Sequence, residues 1–180
     1  MAKRKAMPSQ EVLKELLEYD PETGIILWKW RPRSYFQTDR AMAIWNGRFP
    51  GKPGLCSLAH NGYLYGAIFG DNFSAHRIAW RYIYGINPIE IDHINGDRAD
   101  NRLANLREVT RKMNCRNQSI LDRNTSGHPG IYWDKVNRKW HVRIGSKHLG
   151  RFASFDEAVA VRTAAEAKRK YHPNHGRKGT

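Results

Sequence analysis

Acidic side chains are scarce in this sequence. Its 17 Asp and Glu stand against 31 Lys and Arg, a net charge of +14 with a pI near 10.1. Such a balance argues for a polyanionic partner, and nucleic acid, a ribosome or an anionic membrane would each satisfy it. Cysteine is nearly absent: Cys56 and Cys115 lie far apart and no Cys-x-x-Cys occurs, which removes a closed thiolate zinc site and a disulfide framework. Two reduced thiols without a role are expected. No apolar run approaches the ~18 residues of a membrane span. The opening MAKRKAMPSQ lacks the apolar stretch that follows the basic residues of a signal peptide, so a protein retained inside the cell that makes it, without a membrane partner, is expected. At 180 residues and 40% hydrophobic content, the chain predicts two small lobes with modest cores rather than one large one.

What is present is concentrated at residues 91–117, IDHINGDRADNRLANLREVTRKMNCRN. Asp92 and His93 end a short apolar-flanked run, and Asn95-Gly96-Asp97 carries turn chemistry, because Gly accepts positive φ and Asn or Asp bonds its own backbone. The chain is therefore expected to reverse just after the histidine. Residues 103–109 supply a returning strand, and Thr110 suits the N-cap of a helix from 111 to about 118. In this strand-loop-strand-helix unit Asp92 and Asn114 can approach one point. A carboxylate and an amide carbonyl are hard oxygen donors suited to Mg²⁺ or Mn²⁺, with water and substrate phosphate completing the shell. His93, with an ordinary pKa near ~6.5, is neutral and basic in mild alkali and can take a proton from water attacking phosphorus. Asn101 and Asn105 have a plainer reading as turn caps, and Asn101 is expected to do no more.

These residues resemble the HNH, or ββα-metal, nuclease motif in the variant that begins Asp-His and ends in Asn. Asn105 stands twelve residues after His93 and Asn114 twenty-one, the spacing that family uses, with the NGD turn and DNRLANLR in register. The resemblance implies that His93 is the general base, that Asp92 and Asn114 hold one Mg²⁺ or Mn²⁺ ion per active site, and that Asn105 braces the loop and helps orient the histidine. Two shorter stretches, YDPETGIILWKW and AHRIAW, resemble the opening of phage HNH endonucleases and the lead-in to their motif.

Upstream, Ser9 can cap a short helix with Val12, Leu13, Leu16 and Leu17 on one face, and residues 25–30 read as a strand after the Asp20-Pro21-Glu22-Thr23-Gly24 turn. Residues 31–54, broken by proline and glycine, predict no long regular element. They are either a loop that sets Arg31, Arg33, Arg40 and Arg48 on phosphates or a surface excursion. Residues 63–75 predict a hairpin turning at Gly70-Asp71-Asn72. Residues 76–84 predict a helix that buries Ile78, Ala79, Tyr82 and Ile83 and stops at Gly85. Arg77 is a candidate DNA contact; His76 is read as structural.

Residues 111–180 hold 16 Lys and Arg against 5 Asp and Glu, so +11 of the +14 lies there. After a hinge at 124–127, strands are predicted at 130–133, 139–144 and 147–152. A Ser154/Glu157 capping box then opens a helix to about 170, packed through Ala158, Val161 and Ala165. The words SGHPGIYWDKVNRKWHVRI, LGRFASFDEA and AVAVRTAAEAK resemble an AP2 DNA-binding domain. That resemblance implies a three-stranded sheet entering the major groove, with Arg138, Lys139, Arg143 and Arg151 as contacts and Trp133 and Trp140 as candidates for sugar or base edges. The alternative for at least one tryptophan is a core anchor. His172-Pro173-Asn174-His175 is read as a loose tail.

The sequence therefore predicts an α+β protein: a ββα-metal (HNH) lobe and a small three-stranded-sheet-and-helix AP2-like lobe. The expected divisions are 1–54 for the N-terminal region, 55–122 for the nuclease core, 123–129 for a linker, 130–172 for the DNA-binding lobe and 173–180 for a flexible tail. The implied activity is that of a homing-type DNA endonuclease, monomeric, acting on double-stranded DNA in the cytoplasm or nucleoid of a bacterial host. A non-catalytic DNA-binding or regulatory protein of the same shape is the alternative, and the charge also suits RNA.

Overall fold

The structure, a computed structural model, describes residues 6–116, 120, 124–169, 171, 175 and 176. The chain divides into two compact units, Met1–Thr110 and Arg111–Thr180.

In the first unit, α1 (Gln10–Leu16) begins at Ser9, whose hydroxyl accepts from the Val12 amide at 3.4 Å, and it buries Leu13 and Leu16. Leu17 does not extend it. The residue opens β1 (Leu17–Tyr19), which pairs antiparallel with β2 (Ile26–Trp28) in the register Leu17↔Trp28. Between them Asp20 organises the turn, accepting from the Glu22 amide at 2.9 Å and from the Thr23 hydroxyl at 2.7 Å. Further on, β3 (Ser57–Leu58), β4 (Leu64–Ile68) and β5 (Asp71–Ser74) form an antiparallel sheet in that order. The β4–β5 hairpin turns at Phe69 and Gly70, φ 54° and 82°, one residue earlier than predicted. Then α3 (Ala75–Tyr84) ends at Gly85, and its last carbonyls, those of Tyr82 and Ile83, accept from the Gln10 side-chain amide at 2.9 and 3.0 Å. The unit closes with β6 (Glu90–His93) and β7 (Leu106–Val109), antiparallel, with Asp92 opposite Arg107. Leu13, Leu16, Leu17, Ile26, Ile68, Ile78, Ala79, Ile91 and Leu106 make one core, so α1 and the β1–β2 hairpin share an interior with β6–β7.

Residues 31–54 overturn an expectation. They contain a 3₁₀ turn at Arg33–Tyr35 and a ten-residue helix, α2 (Asp39–Arg48). Pro32 and Pro50 flank this helix rather than interrupt it, Gly47 falls in its last turn, and the Thr38 hydroxyl accepts from the Ala41 amide at 3.1 Å. Its Trp45 packs on Trp28 and Phe49, with centroids at 5.8 and 5.1 Å. Arg31, expected on phosphate, is 8% exposed: its guanidinium carbon lies 3.8 Å from the Trp45 ring centre and 4.8 Å from that of Trp28. Asn46 clamps the Arg31 backbone, accepting its N–H at 3.0 Å and donating to its carbonyl at 2.9 Å. Burial lowers the Arg31 pKa to about 10, so the group stays cationic against the aromatic faces. Arg33 pairs with Asp39 and bonds the Phe36 carbonyl, while Arg40 and Arg48 remain exposed.

In the second unit the described helix α4 spans Arg111–Arg116; the predicted extension to about 118 falls outside the described residues. Strands β8 (Ile131–Asp134), β9 (Lys139–Ile144) and β10 (Lys147–Phe152) form an antiparallel meander, and α5 (Phe155–Lys168) follows. The Ser154 hydroxyl accepts from the Glu157 amide at 3.5 Å. Ile131, Val142 and Ala158 form the core with Trp140, Leu149, Phe152 and Phe155 around it. Val161 and Ala165, expected in that core, are only half-buried. Besides Ala158, the buried residue of α5 is Arg162, which bonds Glu166 at 2.7 Å and the Arg143 carbonyl. His175 is likewise no loose tail: its Nε2 lies 3.3 Å from Arg162 and 3.5 Å from Glu166, and Tyr171 packs edge-on at 4.6 Å.

Two glycines allow a measurable contrast. Gly24 and Gly70 have φ of 76° and 82°, but a Cβ on Gly24 would sit 2.6 Å from the Asn101–Arg102 peptide, whereas one on Gly70 meets nothing within 4 Å. Gly70→Ala is expected to cost about 1–2 kcal/mol for the left-handed backbone. Gly24→Ala should cost roughly 1–3 kcal/mol more, because a packed peptide must move. Denaturant midpoints of the two variants check the difference.

Candidate active site

The loop between β6 and β7 is built almost wholly from local side-chain bonds. Asn95 accepts from the Asp97 amide at 2.8 Å and Asp97 from the Ala99 amide at 2.9 Å, while Gly96 N–H closes back on the His93 carbonyl at 2.9 Å. Asn105 spans the mouth of the loop. Its side-chain oxygen accepts from the Asn95 amide at 2.9 Å, its side-chain nitrogen donates to the Asp100 carbonyl at 2.8 Å, and its own carbonyl accepts from Ile94 N–H at 2.9 Å. Asp100 pairs with Arg102 at 2.6 Å and accepts from the Asn95 amide group at 2.8 Å, which holds its carboxyl down at about pKa 2. With both ends of the loop fixed, the residue at the end of β6 is held in place.

That residue is His93, 3% exposed. Its Nε2 lies 3.4 Å from the side-chain oxygen of Asn101. The ring meets His76 edge-on at 5.2 Å and lies 5.7 Å from Tyr63. Burial pushes its pKa down, more than the Asn101 bond and the nearby Asp92, Asp100 and Asp97 charges pull it up. The imidazole is therefore neutral at pH 7 and basic.

Asn101 is the residue that sequence reasoning missed. Expected only to cap a turn, it is 2% exposed and supplies the side-chain oxygen nearest the imidazole nitrogen, whereas the side chain of Asn105 bonds loop backbone. Nothing local in DNRLAN marks it, since what sets Asn101 apart is its burial, which the residue order does not show. His76, read as structural, stands beside His93 at the start of α3. Its Nδ1 has no hydrogen-bond partner, and burial, with smaller contributions from His93 and Arg77, lowers its pKa to about 3.

Asp92 accepts from Arg107 through one oxygen, at 2.6 and 3.0 Å, as a nearly buried cross-strand pair. Asn114 is the fourth residue of α4, half-buried, in the second unit. Among the described residues no cluster of three or more His, Cys, Asp or Glu could hold a metal ion. A carboxylate and an amide carbonyl are each hard oxygen donors, of the kind that suit a hard cation completed by water and phosphate. Arg77, expected on DNA, is half-buried and donates to the Pro88 carbonyl at 2.9 Å, tying α3 to the approach of β6.

The basic candidates of the second unit sort by strand alternation. Arg143 and Arg151 stand on the face of the sheet away from α5 with Lys139, Tyr132, His141 and His148, the last three joined in a chain of short ring contacts. Arg138 holds φ 48° in the β8–β9 turn, which Asp134 organises by accepting from the Val136 and Asn137 amides, both at 3.1 Å. Trp133 and Trp140 do not join that face. They are cross-strand neighbours with centroids 5.2 Å apart on the α5 side, where Trp140 packs on Phe155 at 4.6 Å and Trp133, 43% exposed, forms the margin.

Comparison with known proteins falls on the first of these sites. Residues 73–116 match a family model described as "HNH endonuclease", a segment that contains His76, Asp92, His93, Asn101, Asn105 and Asn114. The chain is also 36% identical over 73 residues to "Protein 3.8" of Escherichia phage T7, a match that covers 39% of this chain and 60% of that relative. No solved structure matches.

The buried His76 makes stability depend on pH. Its ordinary pKa is 6.5, so below that the unfolded chain takes up a proton that the folded site refuses until about pH 3. Stability should fall as pH falls through this window, with up to ~1.4 kcal/mol per pH unit from this one group. His76→Leu should flatten the slope by that amount in urea melts across the same window. An unchanged slope would show that His76 does not stay neutral.

Proposed function

We propose that the protein is a metal-dependent HNH DNA endonuclease that hydrolyses a phosphodiester bond, leaving 3′-hydroxyl and 5′-phosphate ends. The observation that carries this reading is the neutral, buried His93, beside Asp92 at the end of β6 and above a loop closed by Asn105, within the segment similar to HNH endonucleases. His93 accepts the proton of the attacking water. Neutrality is what that role needs, since an imidazolium could only donate. Asp92 and Asn114 are the oxygen donors for one Mg²⁺ or Mn²⁺ ion. Bound there, such an ion would stabilise the charge on the phosphorane and the leaving 3′ oxygen. Asn105 keeps the loop from relaxing under the charge that develops.

The second unit, on this reading an AP2-like DNA-binding domain, supplies residence time. Arg138, Lys139, Arg143 and Arg151 are exposed on the outer sheet face and its turn, where they can neutralise phosphates and release counterions. Trp133 and Trp140 are left out of that contact set. The homing role, the monomeric state and an intracellular site of action in a phage-infected host belong to the same proposal; the helices described include none long and apolar enough to cross a membrane. One observation favours the alternative of a DNA-binding protein without catalysis: the Asp92 carboxylate is already held by Arg107.

Supercoiled plasmid with Mg²⁺ or Mn²⁺ separates the two. Wild type should nick or linearise it, EDTA should abolish cleavage, and His93→Ala should lose roughly 10²–10⁴-fold in rate while binding DNA as before. Binding without cleavage in either metal would establish the alternative. In paired cleavage and mobility-shift assays Asp92→Ala and Asn114→Ala should lose turnover more than binding. Arg143→Ala should weaken binding and lower the slope of log K against log salt by about one contact's worth, ~0.9.

A further inference from the structure

Three stretches of the first unit converge on Asn101. Its side-chain oxygen lies 3.4 Å from His93 Nε2. Its carbonyl accepts the Tyr19 hydroxyl at 2.8 Å, a buried bond from the end of β1. The turn after β1 lies against the peptide that follows, with Leu103 N–H donating to the Pro21 carbonyl at 2.9 Å and Gly24 so close that a Cβ would meet the Asn101 carbonyl carbon at 2.6 Å. Burial raises the Tyr19 pKa to about 12, so its hydroxyl remains a donor across the working range of any nuclease. The brace therefore comes from residues 19–24, outside the 73–116 segment that matches known endonucleases.

A neutral imidazole has one N–H and one lone pair, and which nitrogen carries which is set by the hydrogen bond the ring makes. An amide oxygen can only accept. We infer that Asn101 is a positioning residue for His93: its side-chain oxygen takes the Nε2 proton, leaving the lone pair on Nδ1, and the β1–β2 turn keeps Asn101 in place through Tyr19 and Gly24. This rests on the nuclease reading for its consequence, namely that Nδ1 is the atom that accepts the proton from water. It does not rest on it for the contact. The rings of His76 and Tyr63 against His93 limit rotation, and the Asn101 oxygen opposite Nε2 favours the tautomer that carries its proton there. The N-terminal hairpin is on this view a working part of the catalytic loop, remote in sequence and in direct contact with it.

Long-range ¹H–¹⁵N spectra of the imidazoles in the full-length protein, above neutral pH, read the tautomer directly. Wild type is expected to show His93 with Nε2 protonated and Nδ1 bare. In Asn101→Ala the two nitrogens should report a mixture, kcat should fall about 10- to 100-fold and KM should stay within about twofold, as expected when a base is misplaced rather than substrate binding lost. Tyr19→Phe, which removes one hydroxyl from a packed ring, should give the same signature at a smaller amplitude, about three- to tenfold in kcat. A wild-type His93 protonated on Nδ1, or an Asn101→Ala protein with the wild-type tautomer and kcat, would overturn the assignment. If Asn101→Ala fails to fold, Tyr19→Phe decides, and an unchanged tautomer and kcat there removes the hairpin brace. A wild type that shows the Nε2–H tautomer, lost in Asn101→Ala, yet cuts no DNA in Mg²⁺ or Mn²⁺ would sink the nuclease reading and leave the contact standing.

Discussion

A polar side chain taken out of water must find its hydrogen bonds inside the protein, and the first unit is arranged around meeting that demand at one imidazole. His93 sits at the end of a four-residue strand with almost no exposure, so its environment has to be built by other segments. The loop that follows supplies Asn101, the β1–β2 hairpin fixes Asn101 from behind, and α3 closes the side with His76. Helix α3 is itself anchored from the N-terminal region, with Gln10 capping its last carbonyls and Arg81 donating to the Pro8 carbonyl at 2.7 Å. The demand is not met everywhere: His76 Nδ1 goes without a partner. An unsatisfied polar atom in so buried a place is costly, and it stands beside the His93 ring, whose own burial keeps it neutral.

The second unit solves a different problem with the same chemistry. A sheet of three strands and one helix has little interior, so its strands divide their residues between the faces, with one register shift at His148–Gly150: Ile131, Trp140, Val142, Ile144 and Phe152 toward α5, Lys139, His141, Arg143 and Arg151 away from it. Arg162 crosses that division. Its guanidinium is buried between Glu166, His175 and the Arg143 carbonyl, so the helix is joined to the central strand of the sheet by directional bonds. The outward cations, by contrast, have few acidic neighbours. Arg151 with Asp134 at 3.4 Å is an exposed pair, weak in water, and leaves the face strongly basic.

Much of this was legible in the residue order. The strands of the second unit fall where alternation put them, Ser9, Ser154 and Gly85 mark helix ends as their capping chemistry requires, and NGD turns the chain after His93. Most of what escaped was governed by partners far away in sequence. Residues 39–48 carry a Thr38 cap, Asp39 in the first turn and the helix formers Arg40, Ala41, Met42 and Ala43, a signal masked by the prolines and glycines around them, and Trp45 packs the helix on Trp28 and Arg31. Two of the missed strands, β1 and β3, are three and two residues long, too short for any period to register, and form only because β2 and β4 lie alongside. Arg31 and Arg162 look in the sequence like any surface arginine, and His175 like part of a frayed end.

The sequence by itself determined that the chain would carry a reversing Asp-His loop, two strand-bearing lobes and a basic second half, because turns, caps, alternation and charge depend on neighbours within a few residues. Tertiary structure alone decided which amide would face the imidazole, that Asp92 would be held by Arg107, and that Trp133 and Trp140 would lie on the α5 side of the sheet while Arg143 and Arg151 turned out. Those outcomes depend on burial, and burial is a property of where distant segments meet, which no local pattern encodes.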